Sequence, residues 1–210
     1  MNTHIKFVGA EHSEQINAIR MQEYAQASGF DLDLKTLEWK QSDSDSFVMA
    51  AEQDGAVIST MRGEVISEQS LLEKKLECTW NFPLQLEFPI LLLSRAATLS
   101  SHRSSGMNLV LRYWFLKLAE FHQIPFVLGT FVSGSPREQS LREMGYEFFE
   151  NKEGWKQSTY RSLRPVYVVA LDMRNKGVHA LNYCLKRADV GLRNFSVQGE
   201  FPTMKYVRGL

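Results

Sequence analysis

The 210-residue sequence predicts an α/β domain of the α+β kind, with a mixed central sheet of about six or seven strands flanked by helices. Three observations predict it. Asp54-Gly55 joins two strand-like runs, residues 47–52 and 56–62, and supplies the positive-φ turn that a tight hairpin needs. Residues 107–121 carry Leu109, Leu111, Trp114, Phe115, Leu118 and Phe121 in a broad apolar stripe, which marks an amphipathic helix. Strand-like and helix-like stretches alternate on both sides of these units, as they do where helices cover a sheet.

In chain order, residues 5–8 alternate as a short strand, and residues 13–27 turn helical with Gly29 as the stop. A second helix is expected over 31–40, burying Leu34, Leu37 and Trp39, followed by a polar loop at 41–46. After the hairpin comes a helix within 68–78 and then a long strand over 84–99, interrupted by Pro89 and buried on both faces at 90–93. Residues 125–132 form a buried strand. Ser135-Pro136-Arg137-Glu138 has the form of a capping box and starts a helix that Gly145 ends. Strands at 146–149 and 166–171 follow, then a helix at 178–186 and an irregular end. The order is β-α-α-β-β-β-α-β-α-β-β, one domain over 1–171 with 172–210 as an extension packed on it.

Lys plus Arg (24) equals Asp plus Glu (24), so no global field favours nucleic acid or an anionic membrane, and any charged site must be local. Cys78 and Cys184 lie far apart without ligand spacing; buried reduced thiols are expected, and a disulfide between them stays open. His4, His12, His102, His122 and His179 are scattered, so no metal is expected. Neither a nucleophile elbow nor a Walker sequence occurs, and the tryptophans lack basic interleaving. The N-terminus has no secretory h-region and the longest apolar run, 88–93, is too short to span a bilayer, so the expected location is the cytoplasm.

The most informative unit is strand, polar turn, long helix: residues 90–99, then Ser-Ser-His-Arg-Ser-Ser-Gly-Met-Asn at 100–108, then the helix. Small residues let backbone N–H groups converge, the helix N-terminus adds unpaired donors and partial positive charge, and Arg103 adds a full one. Such a nest binds a phosphate or pyrophosphate.

Arg103-Ser104-Ser105-Gly106-Met107-Asn108 resembles the R/Q-x-x-G-x-G/A signature of the GNAT acyltransferase superfamily, with Asn108 in place of the last small residue. Met144-Gly145-Tyr146 is similar to the G-F/Y that ends the family's last helix, and the resemblance runs over roughly residues 1–171. It implies a GNAT-like fold in which two parallel strands splay around a pantetheine arm, here at 96–99 and 127–130, with Gly129 suited to close approach. It also implies an acyl-CoA or acyl-phosphopantetheine donor held by Ala97, Leu99, Arg103, Ser104, Ser105, Gly106, Met107 and Asn108.

A finer series comprises Arg20-x-x-Glu23-Tyr24, Asp43-x-Asp45, Thr60-Met61-Arg62 and Leu93-Ser94-Arg95-Ala96-Ala97. It resembles the branch of acyl-homoserine-lactone synthases and N-acyl amino acid synthases, which acylate the amine of an amino acid or its derivative, often from acyl carrier protein. That resemblance implies substrate-organising roles for Arg20, Arg62 and Arg95. Asp43, Asp45 or a substrate carboxylate are the open choices of partner for these arginines. The branch's E-L-S-R strand signature reads Leu92-Leu93-Ser94-Arg95 here, without the acid. The expected base is Glu87, or Glu64 through water, with Arg95 in the reacting centre. Leu141 stands where many members carry the proton-donating Tyr, so Tyr146 is the expected substitute acid. Arg137, Arg142 and Lys152 form a candidate patch for a carrier protein. A GNAT-like domain that binds without turnover is the competing expectation, and a plain interaction module is a third.

Overall fold

The computed structural model describes residues 3–26, 30–103, 105–152, 160–162, 164–192, 195–198 and 202–204. Its centre is the hairpin. β3 (Phe47–Gln53) and β4 (Ala56–Ile66) turn through Asp54 and Gly55, both at positive φ (51° and 83°). β1 (Thr3–Val8) adds antiparallel to β3, and β5 (Ile90–Thr98) adds antiparallel to β4. β6 (Phe126–Val132) then runs parallel to β5, β9 (Val166–Asp172) antiparallel to β6, and β7 (Glu147–Glu150) closes that edge. The opposite edge is β10 (Phe195–Gln198), parallel to β1, drawn from the tail where an irregular end was expected. The described sheet thus has eight strands, ordered β10-β1-β3-β4-β5-β6-β9-β7.

Alternating side chains divide the sheet into two faces. Met49, Met61, Val65, Leu91, Leu93 and Val127 pack with α4 (Met107–Phe121), which runs over the predicted residues and lies against α6 (Met173–Leu192). Gly63 is needed there, because a Cβ would stand 2.5 Å from the Phe115 ring. The other face carries α1 (Ser13–Ala25), whose Ile19 meets Ala50, Val57 and Ala97, and α3 (Gln69–Leu76), whose Leu72 and Leu76 meet Ile66, Leu92 and Leu128. Both cysteines are free and buried, and burial pushes the Cys184 thiol up to about 11. Among the described residues no helix is long and apolar enough to cross a membrane.

Four expectations are corrected. Residues 31–40 are not one helix: β2 (Phe30–Leu32) pairs with β8 (Tyr160–Ser162), and only a single 3-10 turn, Leu34–Leu37, follows. Asp33 caps that turn, its carboxylate accepting from the Lys35 N–H at 3.0 Å. The polar run at 41–46 is no open loop, since α2 (Gln41–Ser44) forms and Asp43 accepts the Lys40 N–H from inside the protein. The strand after Pro89 starts only at Ile90; before it, Trp80, Phe82, Leu84, Leu86 and Phe88 lie against the apolar sheet face from an extended segment. α5 (Glu138–Glu143) begins later than a capping box requires, because the Ser135 hydroxyl accepts from Arg137 N–H and the Glu138 carboxylate turns to Arg142.

Candidate active site

β5 and β6 are paired in parallel only from Ile90↔Phe126 to Leu93↔Gly129. Beyond that point the edge of β5 that faced β6 is unpaired, which is the splay expected for a bound extended arm. Gly129 sits at the fork, where a Cβ would lie 3.3 Å from the Leu93 carbonyl oxygen. On its other edge β5 re-engages β4 after a bulge: Arg62 pairs with Ser94 and Thr60 with Ala97, while Arg95 takes a positive φ of 51°. That bulge turns the Arg95 side chain under the 3-10 turn, where it donates to the Thr36 and Glu38 carbonyls. Ala97 is buried against α1, and the Leu99 N–H is taken by Ile58 O at 3.0 Å.

A 3-10 turn, Ser100–His102, leads through Arg103 to Gly106, the N-cap of α4 at φ 78°. Glycine has no side chain with which to cap the helix, so no side chain takes up the first-turn N–H groups of α4, which have no partner within the helix. The Ser105 hydroxyl donates to His102 O. Ser104 lies outside the described residues. Glu23 of α1, buried beside the turn, accepts from the Ser100 N–H at 2.9 Å and pairs with Arg103 at 2.6 Å. Arg103 is nonetheless 55% exposed and presents its charge beside the helix end.

Next to the fork, on the α1 and α3 face, six charged side chains converge. Asp43 Oδ2 pairs with Arg95 at 2.7 Å, and Asp43 Oδ1 stands 2.8 Å from Arg20 and 3.8 Å from Arg62. The choice of partner left open by the sequence therefore falls on Asp43, while Asp45 accepts from Gln41. Arg62 reaches from Asp43 to Glu64 (2.6 Å), bonds Ser94 Oγ through Nε at 3.0 Å, and Glu64 in turn holds Lys75 of α3 at 2.7 Å. Glu64 is the register partner of Leu92, so a buried carboxylate is present one strand away from the position where the resemblance calls for an acid. Burial outweighs the opposing attraction to Asp43 and lowers the Arg20 guanidinium below its ordinary value. Among the described residues Arg20 Nε and Nη2 find no aligned acceptor, so the Arg20–Asp43 contact is ionic rather than a good hydrogen bond.

Three expected roles need correction. Glu87 precedes β5 at the end away from the fork, is 62% exposed, and pairs with Arg174 at 2.6 Å, so the structure does not bring it to the fork. Tyr146 is buried on the α4 side, its phenol oxygen accepting from Arg112 at 3.0 Å; burial raises its pKa, and it does not face the fork. Arg20 is fully buried and its charge is turned to Asp43, which is fully buried as well. Sequence reasoning missed Glu23 as the tether of the turn and Lys75 as a member of the cluster. Glu23 was legible in part, lying one turn from Arg20 on the same helix, whereas nothing in the sequence singles out Lys75. Among the described residues no cluster of His, Cys, Asp or Glu is spaced to hold a metal ion.

Neither protein-family models nor curated proteins give a match to this sequence. Solved structures do. BjaI, a CoA-dependent acyl-homoserine lactone synthase solved with SAM and isopentyl-CoA, superposes with a TM-score of 0.61 at 14% identity, covering 97% of this chain and 96% of that one. MesI, also described as a CoA-dependent acyl-homoserine lactone synthase, gives 0.56 at 13% identity, over 91% of this chain and 98% of that one. The ribosomal-protein-S18-alanine N-acetyltransferase from Escherichia coli gives 0.57 at 11% identity, over 81% and 93%. The chain has the fold of the GNAT acyltransferases.

Proposed function

We propose that the protein is an N-acyltransferase that moves an acyl group from an acyl-pantetheine thioester to the amine of a small acidic acceptor such as an amino acid derivative. The observation that carries this reading is the fork at Leu93 and Gly129, with the helix N-terminus of α4 beyond it and the cationic cluster beside it. A pantetheine arm fits the unpaired strand edge, its phosphates the Gly106 turn, and an acceptor carboxylate the arginines Arg62 and Arg95. The acceptor nitrogen attacks the thioester carbon, a C–N bond forms, the C–S bond breaks, and the thiol leaves with one proton while the ammonium proton passes to solvent or base. Unpaired N–H groups of β5 past the bulge are suited to the oxyanion. Acyl-CoA is the donor favoured by the described natures of BjaI and MesI. Acyl carrier protein is the second donor, with exposed Arg137, Arg142 and Lys152 as its surface.

Acetyl-CoA and octanoyl-CoA are expected to raise the melting temperature, and Arg103→Glu to abolish the shift. A melting curve unmoved by either thioester and by an acylated carrier protein sinks the proposal. One observation favours a second reading, binding without turnover: neither Glu87 nor Tyr146 reaches the fork. Free thiol released in the presence of any amine acceptor eliminates it.

A further inference from the structure

The cluster beside the fork has an unbalanced charge. Arg20, Arg62, Lys75 and Arg95 carry four positive charges, and among the described residues their ion pairs go to two carboxylates, Asp43 and Glu64. Four against two leaves a surplus of two. Burial is ordered as well. Arg20, Asp43 and Glu64 form a closed floor, at most 1% exposed, while Arg62, Arg95 and Lys75 are 9%, 16% and 20% exposed. Every member that a ligand can reach is therefore a cation. Guanidinium groups do not escape the cost of burial by losing a proton at neutral pH. Burial, and next the Arg62 charge, push Arg95 down to about 10, which leaves it charged and short of counter-ions. A buried surplus of this kind is a standing cost that a bound anion relieves.

We infer that the acceptor is a dianion: an amine that carries two acidic groups, one held by Arg62 and Arg95 and the second by Lys75. Lys75 comes from α3 rather than from the strands, and Glu64 takes one of its three donor protons. It faces the cluster from the end opposite Arg95, with Arg62 between them. The inference rests on the acyl-transfer reading of the same site and makes it more specific.

The test compares acceptors that differ by one acidic group: aspartate with asparagine, and O-phosphoserine with serine. Each is offered with acetyl-CoA and with octanoyl-CoA, and thiol release is followed. For at least one pair, kcat/KM is expected to be about tenfold higher for the doubly acidic member, the factor that 1.4 kcal/mol supplies. The two pairs separate a carboxylate from a phosphate as the second group. Lys75→Met is expected to bring that ratio close to one. A ratio measured within one variant does not depend on how much of it folds. Equal or slower release with the doubly acidic acceptors overturns the dianion and leaves acyl transfer standing. A ratio unchanged in Lys75→Met overturns the assignment of the second charge to that lysine. No release with any of the four acceptors, together with a melting curve that neither thioester nor an acylated carrier protein moves, overturns the acyl-transfer reading and this inference with it.

Discussion

The turn at Arg103 and the cluster around Asp43 flank the same fork and are built by opposite means. The turn consists of contiguous backbone; its one charged side chain, Arg103, is 55% exposed and tied to Glu23. The cluster gathers side chains from α1, α2, β4, α3 and β5, and its core is closed to solvent. Exposed pairs contribute little to stability and are screened by salt, whereas removal of one partner from a buried pair strands the other charge. Changes in the turn should therefore alter ligand binding and spare the fold, while changes in the cluster should alter both.

The largest effect is expected from Asp43→Asn. It leaves fully buried Arg20 and mostly buried Arg95 without their shared carboxylate. The loss should be about 3–5 kcal/mol, seen as a lower urea midpoint. A variant as stable as the parent would show that the cluster is not a structural unit. Glu64→Leu should cost less, about 2 kcal/mol, because Lys75 can turn to water and Arg62 keeps Ser94. Here the register offers a rescue. Opposed residues on adjacent antiparallel strands have Cβ atoms roughly 5 Å apart. Adding Leu92→Glu to Glu64→Leu should restore part of the stability and thiol release, and Leu92→Glu alone should not raise either.

The same contrast decides what was legible in the sequence. The turn could be read because its donors, its glycine and its arginine are neighbours in the chain, and because the hairpin and α4 around it carry strong local patterns. The arginines of the cluster could be listed, but not their partner, because Asp43 sits in a polar run that only tertiary contact folds into α2 and buries. Lys75 reads as one more charge on a helix, and its inward reach depends on where α3 packs. Sequence proximity favours Glu87 over Glu64, because Glu87 shares a segment with Leu92, where the resemblance calls for an acid. Distance along the chain misleads there, since Glu87 lies before β5 and away from the fork while Glu64 pairs with Leu92 on the adjacent strand. Tyr146 failed for a similar reason: it follows a helix end that resembles the family's, but its side chain enters the core beside Arg112.

The smallest change that sharpens the comparison is Glu23→Gln. The amide oxygen can still accept the Ser100 N–H, so the shape of the turn should survive, while the negative charge beside Arg103 is removed. Since Arg103 is more than half exposed, the cost in stability should be about 1 kcal/mol or less. With that carboxylate gone, Arg103 no longer divides its charge between Glu23 and an incoming phosphate. CoA should bind more tightly by about twofold to fivefold at low salt, the size of a screened interaction across several ångströms. The gain should fade as the ionic strength rises past physiological values. Titration calorimetry at two salt concentrations measures both. Weaker binding at both would mean that Glu23 serves chiefly to aim Arg103, making the turn depend on a buried side chain as the cluster does.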